Sequence, residues 1–152
     1  MSSRRFVTDP LFLLLAVAGC IGVGVLSWII VPVTGYGELV LPVDVPSYVF
    51  PIVWTTLYSM LGVTLWMVHR SGGNREFYWL FLLQMVLNFL WVPLFFGMGW
   101  MLVAFLDALG MWGLVLLMAI RVWGVDRRVS YMMGVYLVWL SFAAYLNAGA
   151  YL

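Results

Sequence analysis

Charge is what this 152-residue sequence has least of: Asp, Glu, Lys and Arg make up 9% of it, against about 25% in an ordinary soluble domain. With 66% hydrophobic residues and a mean hydropathy of +1.09, that scarcity excludes a soluble fold and indicates an integral, multi-pass membrane protein. Cys20 is the only cysteine, so no intrachain disulfide can form, and a small apolar packing role suits it. His69 is the only histidine and stands beside Arg70 at the end of an apolar run, the setting of a solvated interfacial residue. A single His and a single Cys do not make a zinc or iron–sulfur ligand set, so the expected metal site is none. There is no phosphate-binding glycine loop, no nucleophile with an obvious base, and no basic run suited to nucleic acid.

What the sequence has is apolar length. Five spans of roughly 20 residues, each enough for a helix across a bilayer core of about 30 Å, run near 11–31, 49–68, 77–96, 101–120 and 131–151. They form one transmembrane domain, 1–152, with no internal repeat. Pro10 suits the start of the first helix and Pro32 its end, while Pro46 and Pro51 bracket the start of the second. Ser71-Gly72-Gly73-Asn74 and Gly97-Met98-Gly99 read as turns. Arg4 and Arg5 ahead of an apolar run with Ala16 and Ala18 also fit a signal peptide. That run continues to Val33, longer than a signal core of about 7–15 residues, which favours a retained helix.

All seven basic residues are arginines: Arg4, Arg5, Arg70, Arg75, Arg121, Arg127 and Arg128. With five spans they all fall on one side, so the positive-inside rule puts the N-terminus in the cytoplasm and the C-terminus on the opposite side. The long first loop, Pro32 to Pro46, carries only Glu38 and Asp44 as charges and lies across the membrane from the arginines.

Polar residues inside these spans stand out, because a polar group at membrane depth is costly unless it faces protein or a cavity. Asn88, Asp107 and Asn147 are of this kind. Helical spacing puts Trp54, Tyr58 and Leu61 on one face of the second span, with Pro51 one turn earlier. It likewise groups Gln84, Asn88, Trp91 and Phe95 on the third span, and Tyr136, Trp139, Ala143 and Asn147 on the fifth. Each asparagine fits either of two roles, a pocket rim or a helix cross-link of about 0.6 and at most about 2 kcal/mol. Gln84, nearer the start of its span, fits the structural role. Trp28, Trp79, Trp100 and Trp123 lie near span ends and read as interfacial belt anchors, whereas Trp54, Trp91 and Trp139 lie deeper. Asp107 has no basic partner at its depth, so it does not make a proton relay and reads as a pocket or packing residue. Ala16, Cys20 and Gly24 form a small-residue stripe on the first span, suited either to dimerisation or to packing within the bundle.

The run Val49-Phe50-Pro51-Ile52-Val53-Trp54-Thr55-Thr56-Leu57-Tyr58 resembles the second-helix signature of the TspO/MBR family, the tryptophan-rich sensory protein/translocator protein or peripheral-type benzodiazepine receptor family. Leu87-Asn88-Phe89-Leu90-Trp91 with Phe95-Phe96-Gly97 is similar to its third helix, and Tyr136-Leu137-Val138-Trp139 with Phe142-Ala143-Ala144-Tyr145-Leu146-Asn147 to its fifth. Asp107 stands where many members place an acid. The resemblance implies a five-helix bundle, commonly a homodimer, in a bacterial or organellar membrane, with a pocket beneath the first loop for porphyrins, sterol or benzodiazepine-like compounds. Carried over by position, the ligand-binding residues are Phe50, Pro51, Trp54, Tyr58, Asn88, Trp91, Asp107, Trp139, Ala143 and Asn147. No obligatory cofactor is implied; porphyrin is a ligand. Two features depart from the family. The first loop, Tyr36 and then Leu41-Pro42-Val43-Asp44-Val45-Pro46, lacks the family's tryptophan, lysine and first paired proline. No Lys or Arg follows Arg128, so the cholesterol pattern cannot be completed.

Three functional classes follow. The favoured one is a receptor-like binder or sensor of tetrapyrroles or similar lipophilic ligands. The second is an enzyme of light- and oxygen-dependent porphyrin breakdown, in which Trp54 and Trp139 would be the catalytic candidates. The third is a tetrapyrrole or lipid carrier, disfavoured by the lack of broken helix pairs in repeated halves.

Overall fold

The computed structural model describes residues 3–31, 42–43 and 45–151. The first-loop positions Pro32, Tyr36, Glu38, Leu41 and Asp44 lie outside the described residues, as do the side chains of Arg4 and Arg5. The chain forms α1 (Ser3–Ile29), α2 (Val49–Arg70), α3 (Arg75–Val92), α4 (Met101–Val122) and α5 (Arg127–Tyr151), with a π-helical stretch, Pro93–Gly97, continuing α3. Five segments are long and apolar enough to cross a membrane, from Pro10–Ile29 to Arg127–Ala150. This is the all-α five-helix architecture expected from the sequence.

Local chemistry explains most helix ends. Asn74 caps α3 by accepting the Phe77 amide at 3.2 Å, after Gly72 and Gly73 turn the chain with φ of 101° and 73°. Asp126 accepts the Arg128 amide at 3.0 Å at the head of α5 and pairs with the Arg128 guanidinium at 2.9 Å. The hydrogen bond from that guanidinium holds the Asp126 carboxyl below the usual carboxylate range. The cap therefore contributes fully above the ordinary aspartate pKa and is lost as pH falls through the lowered one. Two ends differ from expectation. α1 extends outward past Pro10 to Ser3, while its apolar span still starts at Pro10. At Pro93 the missing N–H interrupts the regular ladder, and the wider turn is closed by Met98 N–H to the Pro93 carbonyl at 2.8 Å.

The helices pack as a ring in the order α1, α2, α5, α4, α3, each against its two neighbours, with the narrowest contact between α2 and α5. At the arginine-bearing end the ring is solid: Leu61, Val68, Phe77, Met111, Met118, Val129, Met133 and Tyr136 are at most 1% exposed. Here α2 crosses α1 at backbone contact. A side chain on Gly62 would start 2.5 Å from Val17 Cα, and one on Gly24 would run into the Tyr58 ring. Ala16, Cys20 and Gly24 are accordingly buried against α2 within the same chain. Of the two roles open to this stripe, the geometry supports packing within the bundle: small residues here let two helices of one chain approach closely.

Gly62→Val is expected to lower stability by about 1–3 kcal/mol, the usual cost of overpacking. Gly113→Ala, inside α4 where a side chain meets nothing within 4 Å, is expected to raise it by up to about 1 kcal/mol through helix propensity. Thermal unfolding in detergent checks both.

Candidate functional site: an aromatic cavity in the bundle

At the end of the ring away from the helix-terminal arginines, the bundle encloses a cavity of 560 Å³. Its wall comes from Trp28 of α1, Val45 and Ser47 of the first loop, Phe50, Pro51 and Trp54 of α2, and Trp91 of α3. The π-helical stretch adds Phe95 and Phe96, and α5 adds Trp139, Ala143, Leu146 and Asn147. α4 contributes nothing to it.

The aromatic residues form one connected set. The Trp54 ring lies 6.1 Å from Trp91 and 6.3 Å, edge-on at 89°, from Trp139. Trp91 stacks on Phe95 at 5.1 Å, Phe95 meets Phe96 edge-on at 4.8 Å, and Phe96 faces Trp28 at 5.0 Å. Phe50 approaches the Trp139 edge at 6.4 Å. Such pairs add about 0.5–1.5 kcal/mol each beyond area burial and hold the rings in place. The wider turn at Pro93 directs two consecutive phenylalanines at the cavity, one buried and one half-buried.

Of the ten residues expected to bind ligand, the structure brings seven to the cavity wall: Phe50, Pro51, Trp54, Trp91, Trp139, Ala143 and Asn147. Asn147 is 1% exposed, and its amide donates to the Ala143 carbonyl one turn back at 3.0 Å. Its Oδ1, with Trp91 Nε1 and Trp139 Nε1, has no hydrogen-bond partner among the described residues. Three side chains on the cavity wall thus carry polar atoms that the described residues leave unmatched, which is costly without a partner.

Tyr58, Asn88 and Asp107 are elsewhere. Tyr58 is buried with its ring against Gly24 and Trp54. Asn88 lies one turn below Trp91, where its amide donates to the Gln84 carbonyl at 2.9 Å and its Oδ1 accepts the Tyr136 hydroxyl at 2.8 Å. Gln84 Nε2 donates to the same hydroxyl at 3.2 Å. The two helices compete for Asn88's hydrogen-bonding capacity and satisfy it, so it is a cross-link between α3 and α5 rather than a pocket rim. Asp107 is half-buried on α4, the helix absent from the wall, and its Oδ2 has no partner among the described residues.

Trp28, Val45, Ser47, Phe95, Phe96 and Leu146 line the cavity without having been assigned to it. Trp28 adds a second role to its place at a span end: it is 45% exposed, and it also packs on Phe96 at the cavity. Its position near a span end concealed this. Leu146, three residues after Ala143, could have been found by helical spacing, and Phe95 already shared the stripe of Trp91. Trp79, Trp100 and Trp123 are exposed, as a belt requires. His69 is exposed at the opposite end, 3.2 Å from the Tyr78 hydroxyl.

The sequence profile of the TspO/MBR family matches residues 13–152. The chain belongs to the TspO/MBR family. It is 33% identical over 145 residues to the tryptophan-rich protein TspO of Chlorobaculum tepidum, covering 90% of this chain and 92% of that one. It is 31% identical to the tryptophan-rich sensory protein of Cereibacter sphaeroides, over 67% of this chain and 65% of the relative. With the translocator protein of Ovis aries the identity is 34%, over 67% of this chain and 63% of the relative. The chain thus spans nearly all of one TspO/MBR relative and just under two thirds of the other two.

Tyr136→Phe is expected to cost about 1–3 kcal/mol of stability by leaving buried Asn88 Oδ1 and Gln84 Nε2 without their shared partner, with ligand affinity changed by less than about threefold. Paired unfolding and binding measurements test this; a large affinity loss at unchanged stability would return Asn88 to the pocket.

Proposed function

We propose that this protein is a receptor-like membrane binder of porphyrins or similarly flat, lipophilic aromatic molecules, held in the cavity beneath the first loop. The wall of the cavity carries this reading: among the described residues seven of its thirteen side chains are aromatic, and none is a carboxylate, imidazole or amine. The volume of 560 Å³ falls within the range of about 300–1,000 Å³ typical of small-molecule sites. Trp54, Trp91 and Trp139 offer flat faces for stacking, Ala143 leaves room for a ring, and the unmatched indole N–H groups and Asn147 carbonyl provide polar complementarity. Among the described residues no titratable group stands on the wall, and what the wall offers is stacking surface, the means of binding rather than of proton transfer. By the positive-inside rule the cavity end faces away from the cytoplasm. Relatives named for sensing and for translocation are compatible with ligand binding as the shared element.

The placement of Trp54 and Trp139 on one wall, 6.3 Å apart, also suits the photo-oxidative alternative, since indoles beside an excited porphyrin are electron donors. Protoporphyrin titrated into the purified protein in the dark is expected to quench tryptophan fluorescence saturably. Ala143→Phe, which puts a ring into the cavity, is expected to weaken binding by about tenfold or more. Subsequent illumination in air separates the classes. Porphyrin loss no faster than without protein supports a binder, whereas accelerated loss abolished by Trp139→Phe would make the protein an enzyme. Quenching that never saturates and is identical in Ala143→Phe would remove the porphyrin reading.

A further inference from the structure

Gly149 lies on α5 one turn beyond Leu146 and is pressed against Pro42 of the first loop. A Cβ added there would run into Pro42 Cγ and lie 2.7 Å from both Pro42 Cβ and Cδ, closer than real side chains pack. The backbone does not itself require glycine, because Gly149 is not among the glycines with positive φ. A residue inside a regular helix with no conformational need for glycine pays in helix propensity for its missing side chain. Gly134, on the same helix, meets nothing within 4 Å and shows that glycine alone does not signify contact. What distinguishes Gly149 is that the loop occupies the space its side chain would take.

That contact adjoins the cavity. Downstream of Pro42, Val45 and Ser47 contribute to the wall before α2 begins at Val49. Leu146 and Asn147, just before Gly149, contribute to it from α5. The Pro42–Gly149 contact therefore joins the loop side of the cavity wall to its α5 side. Proline adds to this, since its fixed φ limits how the loop can yield to an intruding group.

We propose that Gly149 is a positioning residue that seats the first loop, through Pro42, against α5 and so sets how long a ligand is retained in the cavity. Retention rests on the reading of the cavity as the ligand site; the seat itself does not. Gly149→Ala displaces the proline ring and widens the opening between Val45–Ser47 and Leu146–Asn147. Because the added methyl does not reach the aromatic wall, its effect falls on dissociation.

The test uses the full chain in lipid nanodiscs, with protoporphyrin as probe. Gly149→Ala is expected to speed protoporphyrin dissociation about tenfold, with association little changed. Pro42→Gly removes Cβ, Cγ and Cδ, the three atoms nearest a Cβ at 149, and the double variant is expected to be no worse than the more severe single one, because both act through one contact. Without any ligand, amide exchange across residues 43–48 is expected to rise in Gly149→Ala and to stay unchanged in Gly134→Ala. Unchanged exchange in Gly149→Ala overturns the seat, as does a double variant whose effects multiply. Raised exchange with no protoporphyrin binding in the unsubstituted protein would confirm the seat and refute the ligand reading instead. Thermal unfolding of each variant separates loop displacement from general loss of fold.

Discussion

The hydroxyl of Tyr136, accepting from Gln84 at 3.2 Å and donating to Asn88 at 2.8 Å, is the polar junction on which the interior of this bundle depends. α3 and α5 are not neighbours in the ring, and α4 stands between them on one side. A fully buried tyrosine reaches across the space they leave and finds both its partners on α3. In a membrane no water is at hand to replace such partners, so the junction holds only if all three side chains keep their places. It also divides the bundle by level. Towards the arginine end the ring is filled by Leu61, Met111, Met118 and Met133. One turn beyond the junction, the same two helices present Trp91 and Trp139, and the space between them stays open.

The open half is made of side chains suited to remaining open. Aromatic rings braced against one another, edge-on for Trp54 with Trp139 and stacked for Trp91 with Phe95, cannot easily collapse inward, and they come from α2, α3, its π-helical continuation and α5. The π-helical turn at Pro93 completes the wall on the α1 side by turning Phe96 towards Trp28. A ligand reaching this site meets stacking surfaces and unmatched polar atoms together. That combination explains how an apolar, membrane-dissolved molecule could be held with orientation rather than merely dissolved.

Much of this was legible in the sequence, because helical periodicity and membrane cost act locally. Apolar length marked the five helices, and the stripes of Trp54, of Trp91 and of Trp139 with Asn147 all face the interior. Three features were hidden because they depend on which helix lies next to which. Asn88 and Asn147 are the same residue type on apolar helices, but only Asn88 lies level with a tyrosine hydroxyl from another helix. The small residues of α1 suit a partner chain as well as a neighbour, and the close approach at Gly62 decides for the neighbour. Trp28 sits where an interfacial anchor would, and only the bend at Pro93 gives it a partner inside. The contact of Pro42 with Gly149 joins positions far apart in sequence, so no local pattern could announce it.

The central claim, that the aromatic cavity receives the ligand, is tested most directly by photoaffinity mapping. A porphyrin carrying a diazirine, irradiated at a wavelength that activates the label in membranes containing the protein, should attach to α2 and α5 peptides, at Phe50, Trp54, Trp139 or Ala143. Excess unlabelled protoporphyrin should abolish that attachment. Labelling confined to lipid-facing side chains such as Trp79, Trp100 or Leu106, undiminished by competitor, would contradict the account.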